Sequence, residues 1–276
     1  MRAPRSASQP RVTEVPATVG LPGGALAYTL RRSARARGMR VTIDPDRGVV
    51  VTMPPPGRRG WEDVDARIAG FLRDREAWIR RHVGRHQRLR TELEGRGRVE
   101  AGGTLRFRGE LHRIRLEPAP VGARRSAVAR EGDVDGDWLV VRLAARDQRT
   151  PARVVEGWCR ERAREAVERA IGDHADALGV RPAAIMFRDP RTRWGSASRQ
   201  GRLSFSWRLI LAPPEALETV VVHELAHLRI FGHGTGFWDL VATRRPDHLD
   251  WRRWLRRHAY ELHSAIAPPG SARRRA

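Results

Sequence analysis

Alternation of apolar and polar positions dominates the first part of the chain. Residues 26–53 alternate or run β-branched, and Asp44-Pro45-Asp46-Arg47-Gly48 carries turn chemistry between the halves of the second run. This predicts a β-hairpin that ends at Pro54-Pro55-Pro56-Gly57. Over residues 61–93 the period changes to helical. Ile68, Phe71, Leu72, Trp78, Ile79 and Val83 fall near one face and arginines fill the rest. Strand character returns over 97–118, with turns at Gly102-Gly103 and Gly109-Glu110. A Gly-, Ala- and Arg-rich loop or weak strand follows over 119–136, then a short strand over 138–143.

From residue 150 the pattern is mainly helical. Thr150-Pro151 reads as an N-cap followed by proline at the first helical position, opening a helix to about residue 178 that Gly179 closes. A short strand at 185–187 precedes a hairpin over 191–211. Its turn is Arg199-Gln200-Gly201, and Leu203, Phe205, Trp207 and Leu209 share one face. Pro213-Pro214-Glu215 opens the next helix, with Leu217, Val220, Val221, Leu225 and Leu228 at helical spacing and Gly232 as its stop. Helices at 237–243 and 248–264 complete the series. The expected fold is α+β: a disordered tail over 1–20, a β-rich region over 21–148 with one long helix, a second domain over 149–266, and a basic tail over 267–276. No internal repeat is apparent.

Composition narrows the setting. The chain has 276 residues and 40% hydrophobic content, enough core for one large or two small domains. Its one cysteine, Cys159, excludes an intramolecular disulfide and points to a reducing compartment. The first residues have no apolar stretch of signal-peptide length, and no run of about 18 apolar residues could span a membrane. The expectation is a cytoplasmic protein with no membrane partner. The net charge is +21 and all 53 basic residues are arginine. Absence of lysine along the whole chain reads as coding bias, which weakens any inference of nucleic-acid binding. Non-specific, salt-sensitive attraction to nucleic acid or other polyanions still follows from the charge.

The candidate chemistry lies in residues 220–238, VVVHELAHLRIFGHGTGFW. His223-Glu224-Leu225-Ala226-His227 is an H-E-x-x-H motif. On a helix, positions i and i+4 share a face, so His223 and His227 can offer imidazole nitrogens to one metal ion. Glu224 lies to the flank, where it can take a proton from a zinc-activated water and pass it to a leaving group. A turn at Gly232 would bring His233 to the same ion. Spacing alone does not make such a site. His82 and His86 are also four apart, but arginines surround them and a solvated face is the expected reading; His112 is expected at the surface or in packing.

With these residues in view, the chain resembles the YgjP-like zinc metallopeptidases, relatives of the SprT and WLM-type proteases. The resemblance covers roughly residues 25–264. It is densest in TRWGSASRQGRLSFSWRLILAPPEALETVVVHELAHL and the following HGTGFW. It implies a zincin-like metallopeptidase domain, His223, His227 and His233 as zinc ligands, and Glu224 as the catalytic acid/base. The family's Trp-Gly-Ser-Cys-Ser has Ala197 in the cysteine position, so no thiol can act there. The third histidine has metzincin spacing, but Ile230 stands where a metzincin has glycine, so a metzincin fold is not implied.

Arg193 is a candidate for holding a substrate carboxylate or steadying an oxyanion, or is simply solvated. The 194–207 hairpin could bind an extended substrate by strand addition, or serve as sheet core. Trp194, Trp207 and Trp238 are expected to pack and exclude water, and Asp239 or Glu218 to accept from the histidine ring N–H groups. Three functions compete: hydrolysis of peptides or proteins, hydrolysis of a phosphorylated small molecule such as a nucleotide, and a nucleic-acid-associated role with structural zinc. Glu224 argues against the last, since a structural site has no use for it.

Overall fold

The computed structural model describes residues 12–44, 47–55, 63–93, 99–133, 136–190 and 193–266. The chain divides into two compact units, residues 1–91 and 92–276. The expected boundary near residue 148 therefore falls inside the second unit. The expected basic tail lies outside the described residues.

In the first unit, β1 (Thr13–Leu21) and β2 (Gly24–Arg32) form an antiparallel hairpin. β3 (Arg40–Asp44) pairs antiparallel with β4 (Gly48–Met53), and β4 lies parallel to β2, giving the order β1-β2-β4-β3. β1 takes up residues 13–20 of the 1–20 stretch expected to be a disordered tail, and residues 1–11 lie outside the described residues. Its poor apolar patterning reflects a mostly exposed edge strand, held by its ladder to β2. The expected single long helix is two: α1 (Val64–Arg73) and α2 (Glu76–Leu93). Asp74, a weak helix former, sits at the break. Leu26, Tyr28, Val49, Val51 and Met53 from the sheet pack with Ile68, Leu72 and Ile79 from the helices.

The second unit begins with β5 (Thr104–Phe107) and β6 (Glu110–Pro118), an antiparallel hairpin. β7 (Ala127–Asp133), in the stretch read as loop or weak strand, pairs antiparallel with β8 (Gly136–Leu143). β8 lies parallel to β6, so the order is β5-β6-β8-β7. This is the strand order and pattern of senses of the first sheet, an internal repeat of topology. The burial patterns of β2 and β6 agree until their last residue, yet Leu26 in one corresponds to His112 in the other. Equal patterns filled by different residues are why no repeat is visible in the sequence.

α3 (Pro151–His174) follows, capped by Thr150, whose hydroxyl accepts from the Arg153 amide at 3.4 Å. Cys159 is fully buried on its inner face, and burial pushes its thiol far above the usual range, so it is a core residue. β9 (Ala184–Arg188), β10 (Gly195–Ala197) and β11 (Arg202–Ser206) form a sheet of order β10-β11-β9, with β10 at an edge. The hairpin is as expected, but the chain leaves the strand at Ser206 for a 3-10 turn, Trp207–Leu211. All five residues of that turn are buried, so the alternation read through Leu209 ends early.

Three helices complete the unit: α4 (Pro214–Ala226), α5 (Thr235–Arg244) and α6 (His248–Ser264). Among the described residues no helix is long and apolar enough to cross a membrane. α4 is the central one. Ala216, Leu217, Thr219, Val220, Val221, Val222, Glu224, Leu225 and Ala226 are all buried, more than a single stripe, as befits a helix covered on several sides.

A buried arginine ties these parts together. Arg208, in the 3-10 turn, donates to both carboxylate oxygens of Asp189 at 2.7 and 3.1 Å, and to the carbonyls of Leu262 and Ala265 at the end of α6. Its guanidinium lies 4.4 Å from the centre of the Trp207 ring. Removing the guanidinium leaves the buried Leu262 carbonyl and the half-buried Ala265 carbonyl without their donor, while the exposed Asp189 returns to water. Arg208→Ala is expected to cost about 2 kcal/mol. Urea unfolding checks this, and a midpoint shifted by only a few tenths of a kcal/mol would refute it.

Candidate metal centre

α4 carries His223 and Glu224 in its last turn, and His227 is its C-cap, its amide bonded to the His223 carbonyl. The helix therefore ends well before Gly232, the expected stop. Gly232 keeps the turning role, with φ +107, and His233 follows it just ahead of α5. The nitrogens of His223, His227 and His233 lie within 4.8 Å of one another. His223 and His233 face each other Nε2 to Nε2 at 3.3 Å. Two nitrogens bound about 2.05 Å from one tetrahedral zinc lie roughly 3.4 Å apart. The spacing fits a shared ion, and the set is the all-nitrogen donor type that zinc accepts.

Surroundings hold the rings in place. Phe237 packs against all three, with ring centres at 4.9, 4.4 and 5.0 Å from His223, His227 and His233. Trp238 lies 5.5 Å from both His223 and His233 and stacks on His248. Nδ1 of His227 is 3.2 Å from the Ile230 carbonyl, which leaves Nε2 for an ion. That backbone acceptor is what sequence reasoning missed. Glu218 is committed elsewhere, accepting from Arg245 at 2.7 Å, and Asp239 is exposed. Among the described residues neither carboxylate meets a ligand ring.

Burial sets the protonation states. It drives the His223 imidazole down to about 3, helped by neighbouring His227, His233 and Arg252, so the ring is neutral and able to ligate. His227 is lowered for the same first reason. Burial also pushes Glu224 up to about 7, opposed by the positive charge of Arg193. Among the described residues its carboxylate makes no hydrogen bond or ion pair. It faces a cavity of about 310 Å³ lined by Arg193, Trp194, Gly195, His223, Arg252 and Arg256, among others.

Gly195 makes that position available to Glu224. A Cβ there would lie 2.6 Å from Oε1 and 2.7 Å from Cγ of Glu224. Only glycine lets the edge strand β10 pass so close, and the distance depends on a contact that sequence does not reveal. Trp194, next to it, stacks on His263 of α6 at 4.3 Å. Trp207 is instead fully buried beside Arg208. Ala197 is half-buried against the core and pairs with Leu203.

The second histidine pair differs. His82 lies against Trp78, ring centres 4.3 Å apart, and places Nδ1 2.8 Å from its carbonyl; the His86 side chain lies outside the described residues. His112 is fully buried, with Nδ1 3.1 Å from the Glu110 carbonyl, so of the two expectations packing is the one met.

A raised acid is neutral below its pKa and charged above it. Glu224 in the metal-free protein is therefore expected to lose its proton as pH rises through about 7, where ordinary carboxyls are already ionised. Infrared difference spectra across neutrality, compared with Glu224→Gln, read this proton directly. A carboxyl signal that survives the substitution would assign it to another group.

No curated protein and no solved structure matches the chain. A family model does: the YgjP-like metallopeptidase domain matches residues 37–258, most of the chain and all of the site just described. The chain belongs to the YgjP-like metallopeptidase family, and so to the metal-dependent hydrolases.

Proposed function

We propose that the protein is a zinc-dependent peptidase with a zincin-like site, in which His223, His227 and His233 hold the metal and Glu224 is the acid/base. The observation that carries this reading is the convergence of three imidazoles beside a buried carboxylate that no ion pair holds. Bound zinc supplies a Lewis acid for the scissile carbonyl and acidifies a water. Glu224 takes that water's proton as the oxygen adds to the carbonyl carbon. It then delivers the proton to the amine as the C–N bond breaks. A carboxyl near 7 suits both transfers at neutral pH. β10, as an edge strand against α4, offers free backbone groups along which an extended peptide can be laid. Trp238 and Phe237 exclude water from the far side of the histidines.

A second reading has one observation in its favour. Three arginines line the cavity, which suits the phosphates of a nucleotide. A casein-type peptide pool and a nucleotide panel offered to the zinc-loaded protein separate the two, and turnover of nucleotides alone rejects the peptidase. Glu224→Gln is expected to keep zinc and lose turnover by at least about a hundredfold. His223→Ala is expected to lose zinc, and an undiminished metal content would remove it from the ligand set.

Gly195→Ala separates geometry from chemistry. The new methyl must displace Glu224 while leaving the three histidines untouched. Zinc content is expected to hold and turnover to fall by about tenfold or more. Metal analysis beside a rate measurement checks it, and an unchanged rate would mean that Glu224 does not act from its present position.

A further inference from the structure

α6 presents Arg252 and Arg256 to the cavity that Glu224 faces, and Arg193 reaches it from the chain just before β10. On a helix, two like charges four apart share a face and repel. Acids that might have balanced them are engaged elsewhere. Asp250 binds Arg253, Asp247 binds Arg245, and Glu261 binds Arg106. Among the described residues no carboxylate lies in ion-pair contact with Arg193, Arg252 or Arg256, although the charge of Arg193 acts on Glu224. Arg252 is half-buried and held in place, its guanidinium 4.0 Å from the centre of the Trp238 ring. Burial and the like charge of Arg256 lower its proton affinity, the opposite of what a carboxylate partner would do. Charge of one sign, half-buried at Arg252 and exposed at Arg193 and Arg256, lines a cavity that His223 and Glu224 also line.

Some arginines elsewhere sit in close ion pairs, such as Arg149 with Asp147 at 2.6 Å or Arg160 with Glu156 at 2.8 Å. What sets these three apart is their place on the wall of the cavity that His223 and Glu224 also line. Cationic walls of this kind select by attraction to an anion and by the cost of leaving guanidiniums facing a neutral group. Leu255, between the two arginines in sequence, adds an apolar floor that suits the methylenes of a Glu side chain.

We propose that Arg193, Arg252 and Arg256 form a specificity subsite that holds a carboxylate of an acidic peptide, so that cleavage falls beside an Asp or Glu residue or near a free C-terminus. This rests on the peptidase reading and names the substrate class for it. The two sources of the carboxylate differ in where the cut falls: within the chain next to an acidic residue, or at a fixed distance from the last residue.

The test has two arms. In the first, the zinc-loaded protein digests an unbiased peptide library, and the cut positions are read by mass spectrometry. The expected result is one flanking position enriched about tenfold or more in Asp and Glu over Asn and Gln, or cuts confined to one distance from free C-termini and lost on C-terminal amidation. In Arg252→Ala/Arg256→Ala with zinc content retained, that preference should collapse, and Arg252→Lys/Arg256→Lys should restore part of it. An even cut distribution in the parent protein, or a preference that survives the double alanine variant, overturns the proposal.

The second arm does not depend on cleavage. Zinc-loaded Glu224→Gln is titrated with a short Glu-rich peptide, its Gln counterpart and inorganic phosphate, followed by the fluorescence of Trp194 and Trp238. Binding of the Glu peptide at least about tenfold tighter than the Gln peptide, weakened by the double alanine variant, supports the subsite even if no library peptide is cut. That outcome would sink the peptidase reading alone. Equal binding of the two peptides, or inorganic phosphate binding more tightly than the Glu peptide, overturns the carboxylate assignment.

Discussion

Helix α4 is buried on nearly every side, and the properties of the site follow from that burial. A helix so deep carries mostly Val, Leu and Ala, and any polar group on it loses water without a choice in the matter. His223 and Glu224 respond in the only ways open to them. The imidazole gives up its proton affinity and the carboxyl keeps its proton to higher pH. Both responses suit a metal centre, because ligation needs a neutral ring and proton transfer needs an acid poised near neutrality. Exclusion of water by the fold is thus what sets both groups apart from their solvated counterparts.

That same burial makes the surrounding contacts matter. Gly195 lets β10 come within reach of Glu224, Phe237 sits against all three imidazoles, and Trp194 joins the hairpin to α6 through His263. Arg208 acts one layer out, joining the end of β9 to the end of α6 through the 3-10 turn. Loosening that joint would move α6, and with it Arg252 and Arg256, relative to the histidines. Stability and site geometry are therefore carried partly by the same residues.

How much of this was legible in the sequence depended on the range of the interaction. The local relations were readable. His223 and His227 are brought together by a single helical turn, Thr150-Pro151 caps α3, and the β10–β11 hairpin announces itself by its turn. The α+β class followed from the change of period near residue 150. Long-range relations left no such trace. β1 is held by its ladder to β2 and not by its own pattern, so its composition suggested disorder. The repeat of strand order is carried by positions, with His112 standing where the first sheet has Leu26. The zone from Glu92 to residue 148 joins the second unit because its strands pack on α3, a fact of tertiary contact.

Arginine illustrates the limit most sharply. With 53 arginines and no lysine, the choice of side chain says nothing about role at any one position. Arg208 is buried and bonded to four acceptors, Arg160 closes an ion pair on a helix surface, and Arg252 lines the cavity beside Glu224 without an ion pair; in sequence the three look alike. What separates them is the charge balance of their neighbourhood after folding. A guanidinium with a carboxylate at contact distance is spent. One that is half-buried beside a cavity with its neighbouring acids already engaged retains an attraction that only a ligand can satisfy. In a chain biased toward one cation, the informative quantity is the pairing that folding leaves undone.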